Sequence, residues 1–120
     1  MIKIDLNKQN EKIIIITGKL DSFHAKVKDI THITCEETVS IVHLADGSEY
    51  PATLSLRCFE KNLKDDRFFK IHRNMLINTE CVGPRMIHKE RSININGIII
   101  KASRRRFALL KKLLCGECEI

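Results

Sequence analysis

Three consecutive arginines stand just before an apolar helical segment near the end of the chain, in the run SRRRFALLKKLLCG. Ser103 is placed to cap the start of that helix, so Arg104, Arg105 and Arg106 would lie in its first turn. Cations there cost roughly 0.3–1 kcal/mol each when exposed, because the backbone N–H groups already make that end positive. A phosphate would reverse the sign of this effect and accept the bidentate hydrogen bonds of a guanidinium group. The triplet therefore indicates a phosphate-binding element, and the alternative is a solubilising coil segment.

A second polar group, His72-Arg73-Asn74, interrupts the apolar run FFKIHRNMLIN in the middle of the chain. Strict alternation along one strand would leave a phenylalanine on each face and three polar residues in a row. The pattern is repaired if one strand covers 68–71, a second covers 75–77, and the polar triplet forms the turn between them. Arginine and asparagine are the side chains that read guanine and adenine edges in the major groove of DNA. The alternative is a polar surface turn.

The chain contains five cysteines, an odd number without the spacing of a disulfide framework, so reduced and largely apolar thiols are expected. Cys115 and Cys118 have CxxC spacing. A redox-active CxxC usually opens a helix, where the dipole lowers the thiol pKa, whereas this pair follows a helical segment. As a zinc half-site it lacks a second closely spaced pair, and the residues that would complete it are scattered: His72, His88, Cys81 and Cys35. We therefore predict no metal, no cofactor and no enzymatic activity.

Positive charge is concentrated in the second half of the chain. Residues 1–60 contain 7 Lys or Arg and 9 Asp or Glu, whereas residues 61–120 contain 14 and 6, so the two halves carry net charges of −2 and +8 within the overall +6. This asymmetry indicates an anionic partner for the C-terminal half, a nucleic acid in preference to a membrane surface. The alternative is a solvated basic surface.

The 120-residue length is that of one domain with a real core, and 43% hydrophobic with 30% charged residues is an ordinary globular balance. The N-terminal MIKIDLNKQN lacks the apolar run of a signal peptide, and no segment approaches the roughly 18 apolar residues needed to cross a bilayer. We therefore expect a cytoplasmic protein without membrane contact.

Two dipeptides predict β-hairpins: Asp46-Gly47 in VSIVHLADGSEYPA and Asn96-Gly97 in RSININGIIIKA. Both suit two-residue turns that need positive φ, and both lie between β-branched or alternating residues. Pro51 is expected at a strand end or sheet edge, since it cannot donate to a ladder. Further strands are predicted at 12–17, 30–35, 67–72 and 84–89.

Two segments show helical spacing of apolar residues. In LSLRCFEKNLK the apolar stripe consists of Leu56, Phe59 and Leu63. In SRRRFALLKKLLCG the helix would begin after the Ser103 cap and end at Gly116, with a stripe of Phe107, Leu110, Leu113 and Leu114. Together with the strands, these segments predict a mostly β chain with one internal and one terminal helix.

The segments DDRFFKIHRNMLIN and IIIKASRRRFALLKKLL, in this order and separated by hairpins, resemble the LytTR family of bacterial transcription regulators. The hallmark of that family is a run like F-x-R-I-H-R-S-(aromatic)-L-V-N, followed further along by an apolar strand that ends in S-R-R and a helix. The resemblance spans residues 25 to 115. It implies a mostly β fold, an elongated stack of small antiparallel β-sheets with one or two short helices.

Members of this family bind duplex DNA through loops that enter successive major grooves, at promoter sites built from two direct repeats. The resemblance therefore implies sequence-specific double-stranded DNA binding for transcription regulation, with a homodimer or paired monomers on the DNA. Family members usually sit behind the receiver domain of a two-component response regulator, so either a stand-alone regulator or an excised domain is expected here. The expected divisions are 1–24 as a strand-forming extension, 25–116 as the DNA-binding domain and 117–120 as a tail.

Carried over position by position, the resemblance implies three base-reading residues. Arg73 follows the motif histidine, Arg105 is the second arginine of S-R-R, and Thr38 lies in the loop of CEETVSIV. Further residues are implied as phosphate or supporting contacts: Lys70, His72, Asn74, Arg104, Arg106 and Lys89.

The sequence departs from the family run at Asn74 and Met75, where a small hydroxyl residue and an aromatic are usual. Glu36 and Glu37 also place negative charge beside Thr38. Two other interpretations stay open. One is a non-catalytic protein-interaction domain of the same fold, against which the basic half and the arginines argue. The other is RNA binding, which would require more stacking aromatics than the chain offers outside its core.

Overall fold

The structure, a computed structural model, describes residues 2–18, 21–64, 67–87, 90–95 and 97–115. The described strands form three antiparallel sheets. The N-terminal sheet places its three strands side by side in chain order: β1 (Ile2–Leu6), β2 (Lys12–Thr17) and β3 (Ser22–Lys26).

The central sheet is the largest, and its strands are β4 (Ile30–Glu36), β5 (Val39–Leu44), β6 (Glu49–Ala52), β7 (Phe68–His72) and β8 (Met75–Asn78). Their order across the sheet is β6-β5-β4-β8-β7, so β6 and β7 are its edges. The C-terminal sheet has its middle strand between two hairpin partners and consists of β9 (Val82–Ile87), β10 (Ser92–Ile95) and β11 (Ile98–Lys101).

Two α-helices complete the described part of the fold. Helix α1 (Leu56–Asn62) connects β6 to β7, and helix α2 (Arg104–Cys115) follows β11. The molecule measures 47 × 34 × 24 Å along its principal axes. The predicted architecture, an elongated and mostly β stack of small antiparallel sheets with short helices, is therefore confirmed.

The central sheet separates two hydrophobic cores, because β8 buries side chains on both faces. Leu76 belongs to the first core, together with the N-terminal sheet and α1. Its neighbour Ile77 belongs to the second core, together with the C-terminal sheet and α2. Both side chains are fully buried, and successive residues of a strand point to opposite faces. Each buried aliphatic side chain contributes about 1.5–3 kcal/mol relative to exposure, so both faces hold the sheet in place.

Helix α1 forms where its apolar stripe predicts. The Ser55 hydroxyl accepts a hydrogen bond from the Cys58 N–H at 3.3 Å and caps the helix. The stripe residues Leu56, Phe59 and Leu63 are all buried in the first core. The prediction for this segment is confirmed.

Helix α2 also begins at its predicted cap, since the Ser103 hydroxyl accepts from the Arg106 N–H at 3.2 Å. Phe107 and Leu110 are buried in the second core, as predicted, but Leu113 is 55% exposed, which corrects its place in the stripe. At about 100° per residue, Leu113 is rotated about 120° from Phe107 and about 60° from Leu110, so it falls outside the buried face. The side chain of Leu114 and the predicted stop at Gly116 lie outside the described residues.

The hairpin at Asp46-Gly47 exists, but its turn is longer than predicted. The Gly47 N–H donates to the Leu44 carbonyl, and the Leu44 N–H donates to the Ser48 carbonyl, so the loop has three residues and not two. Of the three loop residues, Gly47 alone has positive φ, at 93°. The Asp46 carboxylate accepts from both the N–H and the hydroxyl of Ser48, which favours an Asx-type turn over the predicted two-residue turn.

The hairpin at Asn96-Gly97 has the predicted length, because Ile95 pairs with Ile98 and leaves two residues between the strands. Gly97 has φ 89°, and Asn96 lies outside the described residues. Pro51 is on the edge strand β6, as expected. Of the four further strands, β2 matches its predicted limits, β4 and β7 differ by one residue, and β9 begins earlier and is described as far as Ile87.

Candidate nucleic-acid interface

The polar interruption in FFKIHRNMLIN is a tight turn between β7 and β8. His72 pairs with Met75, which leaves Arg73 and Asn74 as a two-residue connection, and both are exposed. The predicted break is therefore confirmed. His72 itself is the last residue of β7 and is half-buried, which corrects its placement in the turn. Its Nδ1 accepts a hydrogen bond from the Asn74 N–H at 3.4 Å, so it supports the turn from the strand side.

The turn between β4 and β5 lies beside this one. Glu36 pairs with Val39, so Glu37 and the exposed Thr38 form the connection. Strand β4 pairs with β8, and the Cys35 N–H donates to the Asn74 carbonyl at 3.0 Å. One backbone hydrogen bond thus fastens the two connections side by side at one end of the central sheet. Residues 37–38 and 73–74 are called the paired turns below.

Two carboxylates lie at the paired turns, Glu37 within the first turn and Glu36 just before it. Glu36 and Glu37 are exposed, and they line a shallow cleft that also contacts Asn74. Glu37 has φ 57°, a left-handed conformation that is uncommon for a side chain of this kind. The negative charge repels phosphates and leaves a carboxylate able to accept from the amino group of cytosine. The two carboxylates therefore make this end of the sheet a poor site for phosphate.

The arginine triplet is divided by the start of α2. Arg104 and Arg105 are exposed, whereas Arg106 is half-buried and its Nη1 donates to the Lys70 carbonyl at 2.9 Å. The first turn of α2 is thereby docked on the edge strand β7, three residues before Arg73. Spacing alone does not single out Arg106, because it lies four residues before the buried Leu110 and Arg104 lies three residues before the buried Phe107.

Lys70 is tied to the other helix. Its Nζ lies 3.8 Å from Glu60 Oε1 on α1, and the lysine side chain is 30% exposed. Such a surface pair contributes about 0–1 kcal/mol. A phosphate could therefore replace Glu60 as its partner at little cost. Lys89, the remaining predicted contact, lies outside the described residues.

The thiols give no sign of reactivity where they are described. Cys35, Cys58 and Cys81 are free cysteines, and burial raises the pKa of the Cys81 thiol. Within the described ranges, no three His, Cys, Asp or Glu side chains lie together as metal ligands would. Cys118 lies outside those ranges, so the CxxC pair is not described as a whole.

A stacked histidine pair in the central sheet, in which His32 is buried and His43 is half-buried, had not been singled out from the sequence. His32 on β4 and His43 on β5 are register partners, and their rings stack in parallel with centroids 4.1 Å apart. His32 Nδ1 hydrogen-bonds the Thr31 hydroxyl at 2.8 Å, and His43 Nε2 hydrogen-bonds the Thr34 hydroxyl at 2.9 Å. The pairing follows from the hairpin, because residues 32 and 43 are equidistant from the turn at 37–38.

Burial keeps this pair neutral near pH 7. Burial, and to a smaller extent the nearby His43, lowers the pKa of His32 to about 4. Burial also lowers the pKa of His43, although the Glu49 carboxylate, whose Oε2 is 3.3 Å from His43 Nδ1, opposes the effect. The stacking and the threonine hydrogen bonds of the pair all lie within the hairpin of β4 and β5.

Among the described helices, neither has the length and apolar content of a membrane span. The model of a protein family, the LytTr DNA-binding domain, matches residues 21–115 of the chain. The fold is similar to the solved LytTr DNA-binding domain of a Bacillus cereus protein described as a methyl-accepting/DNA response regulator, with a TM-score of 0.67 and 16% sequence identity. That match covers 87% of this chain and 96% of the other. No curated protein sequence matches the chain.

Proposed function

The chain belongs to the LytTR family of DNA-binding domains, and from that premise we propose that it recognises specific double-stranded DNA sequences to regulate transcription. The paired turns and the start of α2 would enter successive major grooves at promoter sites built from direct repeats. One observation carries this proposal: the Cys35–Asn74 and Arg106–Lys70 hydrogen bonds hold the three predicted base-reading elements on one connected framework.

We assign base contacts to Arg73, Arg105 and Thr38. All three are exposed. Arg73 and Thr38 lie on turns joined by a backbone hydrogen bond, and Arg105 lies in the first turn of a helix that the Arg106 side chain fastens to β7, which favours a reproducible approach to base edges. A second group of residues is proposed to bind phosphates or to support the base-reading residues: Lys70, His72, Asn74, Arg104, Arg106 and Lys89. Phosphate contacts position a protein on the duplex, whereas base contacts carry the sequence preference.

The proposal also divides the chain into a DNA-binding domain and two flanking segments. Residues 25–116 would form the DNA-binding domain, 1–24 an extension and 117–120 a tail. Two copies would occupy the two repeats, as a homodimer or as paired monomers, under the control of a receiver domain if one is joined to this chain. The protein would act in the cytoplasm, without a cofactor and without catalytic activity of its own.

Selection from a random-sequence duplex library, at several salt concentrations and followed by sequencing, tests this proposal. An enriched motif with two direct repeats a whole number of turns of about 10.5 base pairs apart is the expected result. With 4–6 phosphate contacts, log K should fall against log salt with a slope of about −4 to −5. Salt-sensitive binding without enrichment would reject sequence recognition and leave only electrostatic DNA binding.

A protein-interaction role is the second candidate, and exposed apolar side chains favour it. Ile98 and Ile99 on β11 and Leu109 and Leu113 on α2 are all between 45% and 58% exposed. Exposed apolar side chains form interaction sites in many proteins where they share one surface. Absence of DNA binding even at low salt would favour this candidate over the first.

A further inference from the structure

Arg106 differs from Arg104 and Arg105 in the surroundings of its guanidinium group. Arg104 and Arg105 are exposed, but the Arg106 guanidinium is half-buried against β7 and donates to a backbone carbonyl 36 residues away in the chain. Strand β7 is an edge of the central sheet. An edge strand leaves one row of carbonyls without a strand partner, and an arginine can supply the missing donor in a fixed planar geometry.

The acceptor of this hydrogen bond lies on the path to the paired turns. Lys70 is followed by Ile71, which is buried in the second core, and then by His72 and Arg73. At about 3.3 Å per residue, the Lys70 carbonyl is about 10 Å along the strand from Arg73. The pairing of β7 with β8 is irregular between Lys70 and His72, and Ile71 at that irregularity is fully buried in the second core. Burial of Ile71 fixes this stretch against α2 and the C-terminal sheet, so the position of α2 is passed to the turn through packed residues.

The backbone of the same residue is also bound to the start of its own helix. The Arg106 N–H is the donor to the Ser103 hydroxyl, and its guanidinium is the donor to Lys70. Backbone and side chain of one residue thus join the helix cap to the edge strand. Arg105, the residue before it, projects from the same turn and is exposed.

We infer that Arg106 is a positioning residue that holds Arg105 at a set distance from Arg73, an inference that rests on the proposed DNA-reading function. Two arginines that read separate base pairs must match the spacing of those base pairs, and a small error in spacing removes the hydrogen bonds of one of them. Arg106 acts through its neighbours, and its contribution is to sequence selectivity and not to overall affinity for DNA.

The opposite role, a phosphate contact, predicts a different salt dependence. Each neutralised phosphate contributes about 0.9 to the slope of log K against log salt. Loss of a phosphate contact makes the negative slope shallower by about 0.9 and weakens binding to all duplexes alike. Loss of a positioning residue leaves the slope unchanged and weakens binding to the selected sequence only.

The experiment compares the full chain with Arg106→Met, Arg106→Lys and the matched control Arg104→Met, which removes an exposed arginine two residues away. Each protein is titrated with the library-selected duplex and with a random-sequence duplex over a salt series. We expect Arg106→Met to bind the selected duplex about 5- to 100-fold more weakly, as for a lost bidentate base contact, and the random duplex as the parent does. Arg104→Met should weaken both and lower the slope.

Arg106→Lys keeps the charge but loses the planar fork, so it separates the two roles even if the methionine variant does not fold. A phosphate contact would tolerate lysine, whereas we expect selectivity to fall. In ¹H–¹⁵N spectra without DNA, the Arg106 variants should shift the amide signals of His72, Arg73 and Asn74, and Arg104→Met should not. In a double-mutant cycle, Arg73→Ala should cost less when combined with Arg106→Met than alone.

Three results would overturn the inference: equal losses on both duplexes with a lower slope, full selectivity in both Arg106 variants, or unchanged amide signals in the turn. A parent protein that fails to distinguish the two duplexes would instead reject the proposed function itself. The parent titration therefore separates the two failures.

Discussion

Asn74 and Asn78 lie just before β8 and at its end, four residues apart, and their surroundings are opposite. Asn74 is exposed in the paired turns, and its contact with the central sheet uses its backbone carbonyl. Asn78 is buried: its Nδ2 donates to the Ile30 carbonyl at 2.9 Å, and its Oδ1 accepts from the Glu80 N–H at 3.0 Å. The same residue type therefore holds the sheet together at one end of the strand and is presented to solvent at the other.

The difference extends to the whole of both regions. In the middle of the central sheet, buried polar side chains such as Thr31, His32 and Asn78 all have hydrogen-bond partners, and in the described part of the chain no buried side-chain nitrogen or oxygen lacks one. At the paired turns the polar side chains are exposed. A buried polar group without a hydrogen-bond partner costs about 1–3 kcal/mol. Polar groups that bind another molecule are therefore exposed to water before that molecule is bound.

The largest expected difference between the two ends of β8 is in how much an asparagine contributes to the free energy of unfolding. Asn78→Ala should lower the free energy of unfolding by about 2–4 kcal/mol, because it removes the amide hydrogen bond to the Ile30 carbonyl, leaving the Cys81 thiol at 3.9 Å as a weaker donor, and removes the cap of the turn at Thr79–Cys81. Asn74→Ala should change it by less than about 0.5 kcal/mol. Urea unfolding of the two variants measures the difference, and equal losses would contradict the division between the two ends of β8.

The histidine pair should make stability depend on pH. His32 is neutral when folded down to pH about 4, whereas an unfolded histidine binds its proton near its ordinary pKa of about 6.5. The unfolded state therefore binds more protons between these values, and stability is complete above pH 6.5 and falls as the pH decreases. The expected loss is about 2 kcal/mol by pH 5 and about 3 kcal/mol by pH 4.

Denaturant unfolding between pH 7.5 and 4 measures this loss in the parent, in His32→Gln and in His24→Gln. His24 is an exposed histidine on β3 and serves as the control. The slope should largely disappear in the first variant and persist in the second. A slope that survives His32→Gln would place the pH dependence elsewhere.

At the paired turns the expected effect is on binding. Arg73→Ala should cost about 1–3 kcal/mol at the selected duplex and leave the free energy of unfolding within about 0.5 kcal/mol of the parent. The exposed Lys8, before β2, provides a matched cation far along the chain. Lys8→Ala should leave selectivity intact in the same titration. Equal losses of Arg73→Ala on selected and random duplexes would remove its base-reading role.

The smallest effect concerns the left-handed residue of the paired turns. Glu37→Asn should raise the free energy of unfolding by about 0.5 kcal/mol, because asparagine tolerates positive φ better than glutamate. It should also strengthen binding to any duplex slightly by removing a negative charge. Glu36→Gln removes the same charge at a residue without positive φ, so it should affect binding and not stability. Thermal unfolding and the salt titration separate the two terms.

Features with local causes were predictable from the sequence. Helix α1 follows from the stripe of Leu56, Phe59 and Leu63 and its serine cap, and the break at Arg73-Asn74 follows from a failed alternation. The family motifs extended this to the fold and to DNA binding. The exceptions were also local: the three-residue loop at Asp46-Gly47 depends on one carboxylate that bonds to Ser48.

Burial of individual polar groups was decided by the tertiary structure. By sequence alone the three arginines of α2 are equivalent, and His32 is one of five histidines. Arg106 became distinct because an edge strand 36 residues earlier offers it a carbonyl, and His32 because the neighbouring strand places His43 against it. Periodicity and propensity report a residue's own element, whereas hydrogen-bond partners and desolvation come from other elements, and those appear only once the sheets are stacked.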